Sequence, residues 1–153
     1  MIIRDLTDGD YSAVLKLYEK LDQLHTDARP DCCLNRDCAY PRKDYDECLQ
    51  DAETLMLGAF ENDALLGTVR ATLWNESGMI KGVKTVCLDN IYVLPTYRRR
   101  GIAKALFAEV ENWAKSLGAV RLDLHVWDFN EDAIALYQAM GMGFQRHVME
   151  KKL

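Results

Sequence analysis

Apolar residues recur along the chain with two different periods, which divide it into helices and strands. From Tyr11 to Leu24 they fall three or four positions apart, the spacing of one face of an α-helix. Thr7 and Asp10 before this stretch are typical of a helix start, because threonine caps free backbone N–H groups and an acid favours the first turn. A second stretch with helical spacing runs from Ile102 to Leu117 and stops at Gly118, so it predicts a second helix.

The remaining apolar stretches are short and strand-like. Residues 54–60 and 65–74 are joined at Asn62-Asp63, a pair that favours tight turns, so they predict a β-hairpin. Residues 85–94 are apolar on both faces, as in a buried central strand, and Pro95 ends them. The other predicted elements are strands at residues 2–3, 120–126 and 144–153 and a helix from Asn130 to about Gly141.

Periodicity is lost between His25 and Tyr45, where two of the three prolines lie, so we expect a long loop or short helical turns there. The order strand, helix, hairpin, strand, helix, strand, helix, strand predicts a mixed α/β (α+β) fold. A chain of 153 residues is the usual length of one domain, so residues 1–153 are expected to form a single domain.

The net charge of the chain and its distribution narrow the classes of molecule that the protein can bind. The net charge of −5 argues against a nucleic-acid binder, because phosphate contacts need a basic surface. Nine acidic and four basic residues lie between Asp22 and Glu53, either as a solvated loop or as a lip that attracts a cationic substrate. The chain holds no apolar run long enough to span a bilayer and no signal-peptide pattern at its start, so it is expected to be cytoplasmic and to bind no membrane.

The five cysteines indicate reduced thiols, because their number is odd and their spacing irregular. Cys32, Cys33 and Cys38, with His25 nearby, raise the question of a zinc site. Their spacing differs from the paired Cys-x-x-Cys of structural zinc sites, and we therefore predict no metal.

A basic turn leads from the predicted central strand into the helix that starts near Ile102. Arg98, Arg99 and Arg100 precede Gly101, and small side chains leave the backbone open. Free N–H groups at a helix start, the helix dipole and arginines together favour a phosphate group. The turn lacks the Gly-Lys-Ser/Thr of a P-loop and the Gly-x-Gly-x-x-Gly of dinucleotide sites. It is either a pyrophosphate site or a basic turn that caps a helix.

Two sequence motifs resemble those of a known protein family. Ile91-Tyr92-Val93-Leu94-Pro95 followed by Tyr97-Arg98-x-x-Gly101-x-Ala103 resembles the acetyl-CoA signature of the GNAT superfamily of N-acetyltransferases. Asn130-x-x-Ala133-x-x-x-Tyr137, followed by Gly141, resembles the region with which these enzymes complete the CoA site. The two motifs cover roughly residues 85–145. The chain departs from the superfamily at Ala103, where glycine is frequent, and at Met142, where phenylalanine is usual.

The resemblance implies a GNAT-like, largely antiparallel central sheet with splayed central strands, flanked by helices, and acetyl-CoA as co-substrate. It implies that pantetheine pairs along the strand at Ile91, Tyr92 and Val93. The residues it places around the rest of CoA are Arg98, Arg99, Arg100, Gly101, Ile102, Ala103, Lys104, Asn130, Ala133 and Tyr137.

Acetyl transfer to an amine needs a base, because an amine with the pKa of lysine is protonated at neutral pH. Asp89 resembles the position of a glutamate in polyamine-type members, and strand alternation places it on one face with Cys87, Ile91 and Val93, opposite Asn90. It is a candidate base, a structural hydrogen-bonding group or an anchor for the amine.

The departing CoA thiolate gains from a proton donor, and the motif match makes Tyr137 the candidate acid. The plain alternative is that Tyr137 is a core aromatic. His125 and His25 are weaker candidates for the base and are expected to be ordinary surface residues.

The sequence therefore predicts an N-acetyltransferase that acts on a primary amine, with a small cationic amine as the favoured acceptor. Amino acids and aminoglycosides stay open as acceptors. A protein N-terminal or lysine acetyltransferase and a non-catalytic acyl-CoA sensor are the alternatives, and a homodimer would be unsurprising for the superfamily.

Overall fold

One mixed sheet with helices on both faces forms the structure, a computed structural model that describes residues 1–75 and 82–152. The strands are β1 (Ile2–Asp5), β2 (Thr54–Glu61), β3 (Ala64–Asn75), β4 (Lys84–Val93) and β5 (Arg121–Leu124). The helices are α1 (Tyr11–Ala28), α2 (Arg42–Gln50), α3 (Ile102–Ser116) and α4 (Glu131–Ala139), with short 3-10 turns at Asp8–Asp10 and Pro95–Tyr97.

The sheet order is β1-β2-β3-β4-β5, and every neighbouring pair is antiparallel except β4 and β5, which are parallel. Pairing between β4 and β5 starts at Thr85 with Arg121 and ends at Leu88 with Leu124. The rest of β4, residues 89–93, pairs with β3 alone. The two strands thus diverge after Leu88 and Leu124, which confirms the predicted splayed, largely antiparallel architecture.

A hydrophobic core lies on each face of the sheet. Leu106, Phe107 and Val110 of α3 pack on the first face against residues such as Val69 and Val86. The second face is covered by α1 and α2, and its buried residues include Val14, Leu17, Tyr18, Tyr40, Tyr45, Met56 and Phe60. We call these the α3 side and the α1/α2 side of the sheet.

The predicted β2–β3 hairpin is confirmed. Asn62 and Asp63 at its tip have φ angles of 48° and 63°, the left-handed conformation that asparagine and aspartate tolerate best after glycine. Two other predictions need correction. The first helix extends to Ala28, beyond the predicted end, and the segment expected to be a long loop or short helical turns contains the start of a nine-residue helix, α2, at Arg42.

The predicted last strand is wrong for residues 144–152, which carry no regular secondary structure, while Leu153 lies outside the described residues. A strand needs a neighbouring strand for its backbone hydrogen bonds, and this segment pairs with none. Side chains hold its end instead, because Arg29 bonds Glu150 at 3.0 Å and Lys152 lies 3.4 Å from Asp31.

Gly58 on β2 has no room for a side chain. A Cβ atom there would lie 2.6 to 2.8 Å from side-chain carbons of Phe60, Leu65 and Leu6. We expect Gly58→Ala to lower the free energy of unfolding by about 1–3 kcal/mol, the usual cost of overpacking a core. Urea unfolding monitored by circular dichroism would measure it. Gly9→Ala is the control, because the nearest atom to its Cβ is 3.9 Å away; equal stability of both variants would contradict the prediction.

Candidate active site

A β-bulge at Asp89 shapes the divergent part of β4. Arg70 of β3 pairs with Asn90 and Ala71 pairs with Leu88, so Asp89 is the extra residue between them. The bulge shifts the alternation of side chains along the strand. Asp89 bonds side chains of β3 on the α1/α2 side, where Asn90 also bonds α1, whereas Ile91 packs into the core on the α3 side.

The bulge corrects the predicted faces of β4. Strand alternation placed Asp89 with Ile91 and Val93, but both of these residues pack on the α3 side. Asn90 was expected opposite Asp89 and lies on the same side. The sequence could not reveal this, because a bulge arises from the register of two strands rather than from the residues of one.

Asp89 is held in place by β3. Its Oδ2 accepts hydrogen bonds from Arg70 Nε at 3.1 Å and from Thr72 Oγ1 at 2.7 Å, and its side chain is 20% exposed. Its Oδ1 has no hydrogen-bond partner within residues 1–75 and 82–152. Asp89 therefore keeps one oriented carboxylate oxygen available for another group.

Two tyrosines line the same side of the sheet. Tyr18 of α1 donates to Asn90 Oδ1 at 2.9 Å, and Arg70 Nη1 donates to the Tyr40 hydroxyl at 3.3 Å. The two rings stack with centroids 4.4 Å apart, and burial raises the pKa of Tyr18 to about 12. In the sequence, Tyr18 is one of the apolar residues with helical spacing between Tyr11 and Leu24, and no motif includes Arg70 or Tyr40. A signal existed for Arg70 alone, since it is a charged residue within a largely apolar strand.

The basic turn has the backbone of an anion site. Arg99 and Gly101 adopt left-handed φ angles of 61° and 80°, and α3 begins at the next residue, Ile102. Within the described part of the chain, the N–H groups of residues 99–104 have no hydrogen-bond acceptor. Consecutive free N–H groups at a helix start form a concave site for an anionic oxygen.

The arginines of the turn differ in what they contact. Arg98 Nε donates to the carbonyl oxygen of Val93 at 3.1 Å, so this side chain ties the turn to the end of β4. Arg100 bonds Glu61 at 3.3 Å. Arg99 and Lys104 are exposed, and neither side chain has a partner among the described residues. These two are the cations that remain available to a phosphate.

α4 carries Tyr137 towards the α3 side of the sheet. Asn130 caps α4 by accepting a hydrogen bond from the Ala133 N–H at 3.4 Å. Tyr137 is half-buried with its ring 6.5 Å from that of Phe107. Burial raises the pKa of Tyr137 to about 12, so the phenol keeps its proton across the neutral range. Its hydroxyl bonds no described residue and can serve a bound ligand.

Several acidic side chains in the segment from Asp22 to Glu53 are paired with basic side chains. Four of its carboxylates form ion pairs with neighbouring cations: Asp22 with Arg36, Asp31 with Arg29, Asp46 with Arg42 and Glu47 with Lys43. A field that draws in a cationic substrate would therefore depend on the remaining carboxylates. The four pairs use all four basic side chains of the segment and leave five carboxylates, so its net charge stays negative and fits either a solvated surface or a lip.

The histidines and cysteines that the sequence offers as a base or as metal ligands lie apart from these contacts. His25 is half-buried, and burial lowers its pKa; its ring lies 6.3 Å from Phe129. His125 is exposed. All five cysteines are free thiols, and the described residues contain no group of three or more His, Cys, Asp or Glu side chains placed to hold a metal ion. No helix within the described ranges is long and apolar enough to cross a bilayer.

Several known proteins match part of this chain in sequence, and two of them illustrate the range. An aminoglycoside N(6')-acetyltransferase type 1 of Acinetobacter genomosp. 13 is 34% identical over 97 residues, which is 61% of this chain and 65% of that protein. A thialysine N-epsilon-acetyltransferase of Caenorhabditis elegans is 38% identical over 53 residues, 35% of this chain and 33% of that protein. The chain thus spans less than two thirds of either relative.

Solved structures match the whole chain. A tetramutant of the BH1408 protein from Bacillus halodurans has a TM-score of 0.94 and 26% identity, and the match covers 100% of both chains. The aminoglycoside acetyltransferase AAC(6')-Iy, solved with the bisubstrate analogue CoA-S-monomethyl-acetylneamine, has a TM-score of 0.78 and 22% identity over 99% of this chain and 97% of that one, a likeness of fold.

The family model described as the acetyltransferase (GNAT) family matches residues 14–142. The match includes the bulge in β4, the basic turn and Tyr137. The open edge of β4 and the free N–H groups at the start of α3 agree with this match. The chain belongs to the GNAT acetyltransferase family.

Proposed function

We propose that this chain transfers the acetyl group of acetyl-CoA to a primary amine of a small cationic acceptor. The observation that carries the proposal is the row of free N–H groups at residues 99–104, next to the unpaired edge of β4. A pyrophosphate suits the first feature, because it brings anionic oxygens to open backbone donors. An amide-containing chain such as pantetheine suits the second, because it can continue the hydrogen bonding of an open strand edge.

Several residues would share the binding of acetyl-CoA. Arg99 and Lys104 would add their charges to the backbone cradle around Gly101, while Ile91 and Tyr92 would offer the backbone of β4 to pantetheine. Arg98 bonds the carbonyl of Val93 and would set the angle between strand and turn. Asn130 and Ala133 would act through the start of α4, which carries Tyr137. AAC(6')-Iy, which has the same fold, was solved with CoA and with a CoA-containing analogue, and this supports CoA as the ligand of such a fold.

The acceptor would approach the acetyl group from the side of Asp89. Two relatives act on amines of cationic molecules, an aminoglycoside and thialysine, as their names state. The carboxylate of Asp89, with Oδ1 free, suits such an amine. Protein N-termini and lysine side chains carry the same reactive group and are the competing acceptors.

The reaction removes two protons from the ammonium group of the acceptor and supplies one to the leaving sulfur. The amine loses its proton to Asp89 Oδ1, directly or through a water, and its nitrogen attacks the thioester carbon to form the C–N bond. The C–S bond then breaks, and the electron pair leaves with sulfur. The phenol of Tyr137 donates to this developing thiolate, because it stays protonated at neutral pH. The nitrogen loses its second proton to solvent as the amide forms, and solvent returns a proton to Tyr137. The products are an amide, CoA with a free thiol and one net proton, which Asp89 releases.

The direct test is chromatographic detection of CoA released from acetyl-CoA with polyamines, amino acids, aminoglycosides and short peptides. Chromatography is needed because five free protein thiols would react with a thiol dye. Release with small cationic amines is the expected result. Release with peptides alone would move the assignment to a protein acetyltransferase, and acetyl-CoA binding without release would make the chain a sensor.

Asp89→Asn is expected to lower kcat/KM for the amine at least about tenfold and to flatten the decline of turnover on the acid side of the pH profile, because the amide cannot take up the proton. The measurement is the rate of CoA release against pH. Asp63→Asn is the matched control, since it makes the same change at the exposed tip of the hairpin. An unaltered pH profile in Asp89→Asn would mean that another group is the base.

A further inference from the structure

Two side chains of β3 meet at a single oxygen atom of the Asp89 carboxylate. Thr72 Oγ1 donates to Oδ2 at 2.7 Å, and Arg70 Nε donates to the same atom at 3.1 Å. Residues two positions apart on a strand are separated by about 6–7 Å and project to the same face. The two donors therefore reach Oδ2 from different points along β3 and hold it between them.

This arrangement makes the two oxygens of the Asp89 carboxylate unequal. Each oxygen of a carboxylate offers about two lone pairs, and the two donors from β3 use those of Oδ2. With a single donor the carboxylate could turn about its Cβ–Cγ bond and exchange its oxygens, because that torsion has a broad range. Two donors on one oxygen oppose this rotation, so Oδ1 keeps one direction and both of its lone pairs.

The two donors differ in what else they contact. Arg70 Nη1 also donates to the Tyr40 hydroxyl at 3.3 Å, and the guanidinium carbon lies 5.6 Å from the centroid of the Tyr40 ring. Arg70 therefore takes part in the packing on the α1/α2 side. Within residues 1–75 and 82–152, the hydroxyl of Thr72 bonds only Asp89, so its removal changes the support of that carboxylate and leaves the contacts of Tyr40 in place.

We infer that Thr72 is a positioning residue for acetyl transfer, because its hydroxyl keeps Oδ1 of Asp89 directed at the acceptor amine. The inference rests on the proposed function and adds a residue that acts through the base. Proton transfer requires the base within hydrogen-bond reach of the amine, and a misplacement of about 1 Å can lower the rate about a hundredfold. Without the hydroxyl the carboxylate turns more freely, and the productive orientation is occupied for only part of the time.

The test compares Thr72→Val with Thr72→Ser. Valine keeps the shape of threonine and suits a strand but lacks the hydroxyl, whereas serine keeps the hydroxyl. CoA release is measured with putrescine and with neamine at saturating acetyl-CoA. Thr72→Val should lower kcat and kcat/KM for the amine equally, by about tenfold, while Thr72→Ser should stay within about threefold of wild type. Thr72→Ala also lacks the hydroxyl and should repeat the loss.

Two further variants separate positioning from a general loss of stability. Thr68→Val makes the same change on the same strand, where the buried hydroxyl donates to the Leu57 carbonyl at 3.0 Å, and it should keep the wild-type constants. Thr72→Val added to Asp89→Asn should lower kcat/KM no further than Asp89→Asn alone, because residues that act as a unit are not additive. Constants are compared among variants that acetyl-CoA stabilises as much as wild type in a thermal shift.

Separate outcomes test the inference and the proposed function. Wild-type kcat in Thr72→Val or Thr72→Ala, an equal loss in Thr72→Ser, or a Thr72→Val loss that multiplies that of Asp89→Asn would overturn the role of Thr72. Each of these results leaves the transferase assignment standing, because the wild type still releases CoA. Absence of release by wild type with both amines would overturn the transfer to a small cationic acceptor and the role of Thr72 with it.

Discussion

Replacing Tyr137 by phenylalanine is expected to lower kcat at least about tenfold while the affinity for acetyl-CoA stays nearly unchanged. The substitution removes one hydroxyl group, and the ring keeps its half-buried place beside Phe107. Ground-state binding of CoA therefore changes little, whereas the departing thiolate loses its donor. A general acid typically contributes between about 10²- and 10⁴-fold, which sets the range of the expected loss. Single-turnover measurement of CoA release under saturating acetyl-CoA would isolate this step.

Tyr45→Phe is the matched control. The Tyr45 hydroxyl donates to the Thr7 carbonyl at 2.7 Å in the core on the α1/α2 side, so its removal should cost about 1 kcal/mol of stability and leave kcat unchanged. If Tyr137→Phe turned over at the wild-type rate, the phenol would be a packing residue only.

The pH profile provides a further check on the same group. Because the pKa of Tyr137 is raised to about 12, its proton is present at neutral pH and is lost only in strongly alkaline solution. Turnover should therefore show no decline from this residue below about pH 10.

Gly101→Val is expected to weaken acetyl-CoA binding at least about tenfold. Gly101 has φ +80°, and a β-branched residue is strained in that conformation even though no atom lies within 4 Å of the added Cβ. The backbone would relax towards negative φ and turn the free N–H groups at the start of α3 away from their common centre. Isothermal titration with acetyl-CoA measures the loss.

Gly118→Val separates strain from binding. Gly118 follows the other end of α3, has φ +71° and likewise meets no atom within 4 Å of an added Cβ. Both variants should lose a similar amount of stability, about 1–2 kcal/mol, from the left-handed backbone. Loss of acetyl-CoA affinity is expected in Gly101→Val alone. Equal loss in both would mean that the N–H groups of the turn do not hold the ligand.

The sequence by itself determined the features that depend on neighbouring residues. The spacing in α3, the Asn62-Asp63 turn and the cap of α4 by Asn130 are local, because each depends on residues within about four positions of one another. The family motifs are likewise continuous in sequence, and they identified the basic turn and Tyr137. These features were sufficient to predict the fold class and the family.

Only the tertiary structure decided which side chains share the candidate site. The bulge moved Asp89 away from the face that strand alternation predicts, and Arg70 and Tyr40 joined it from distant segments. The C-terminal segment shows the same limit, since its strand-like pattern pairs with no strand. Registers and partners arise from contacts between residues far apart in sequence, and a pattern within one segment carries no information about them.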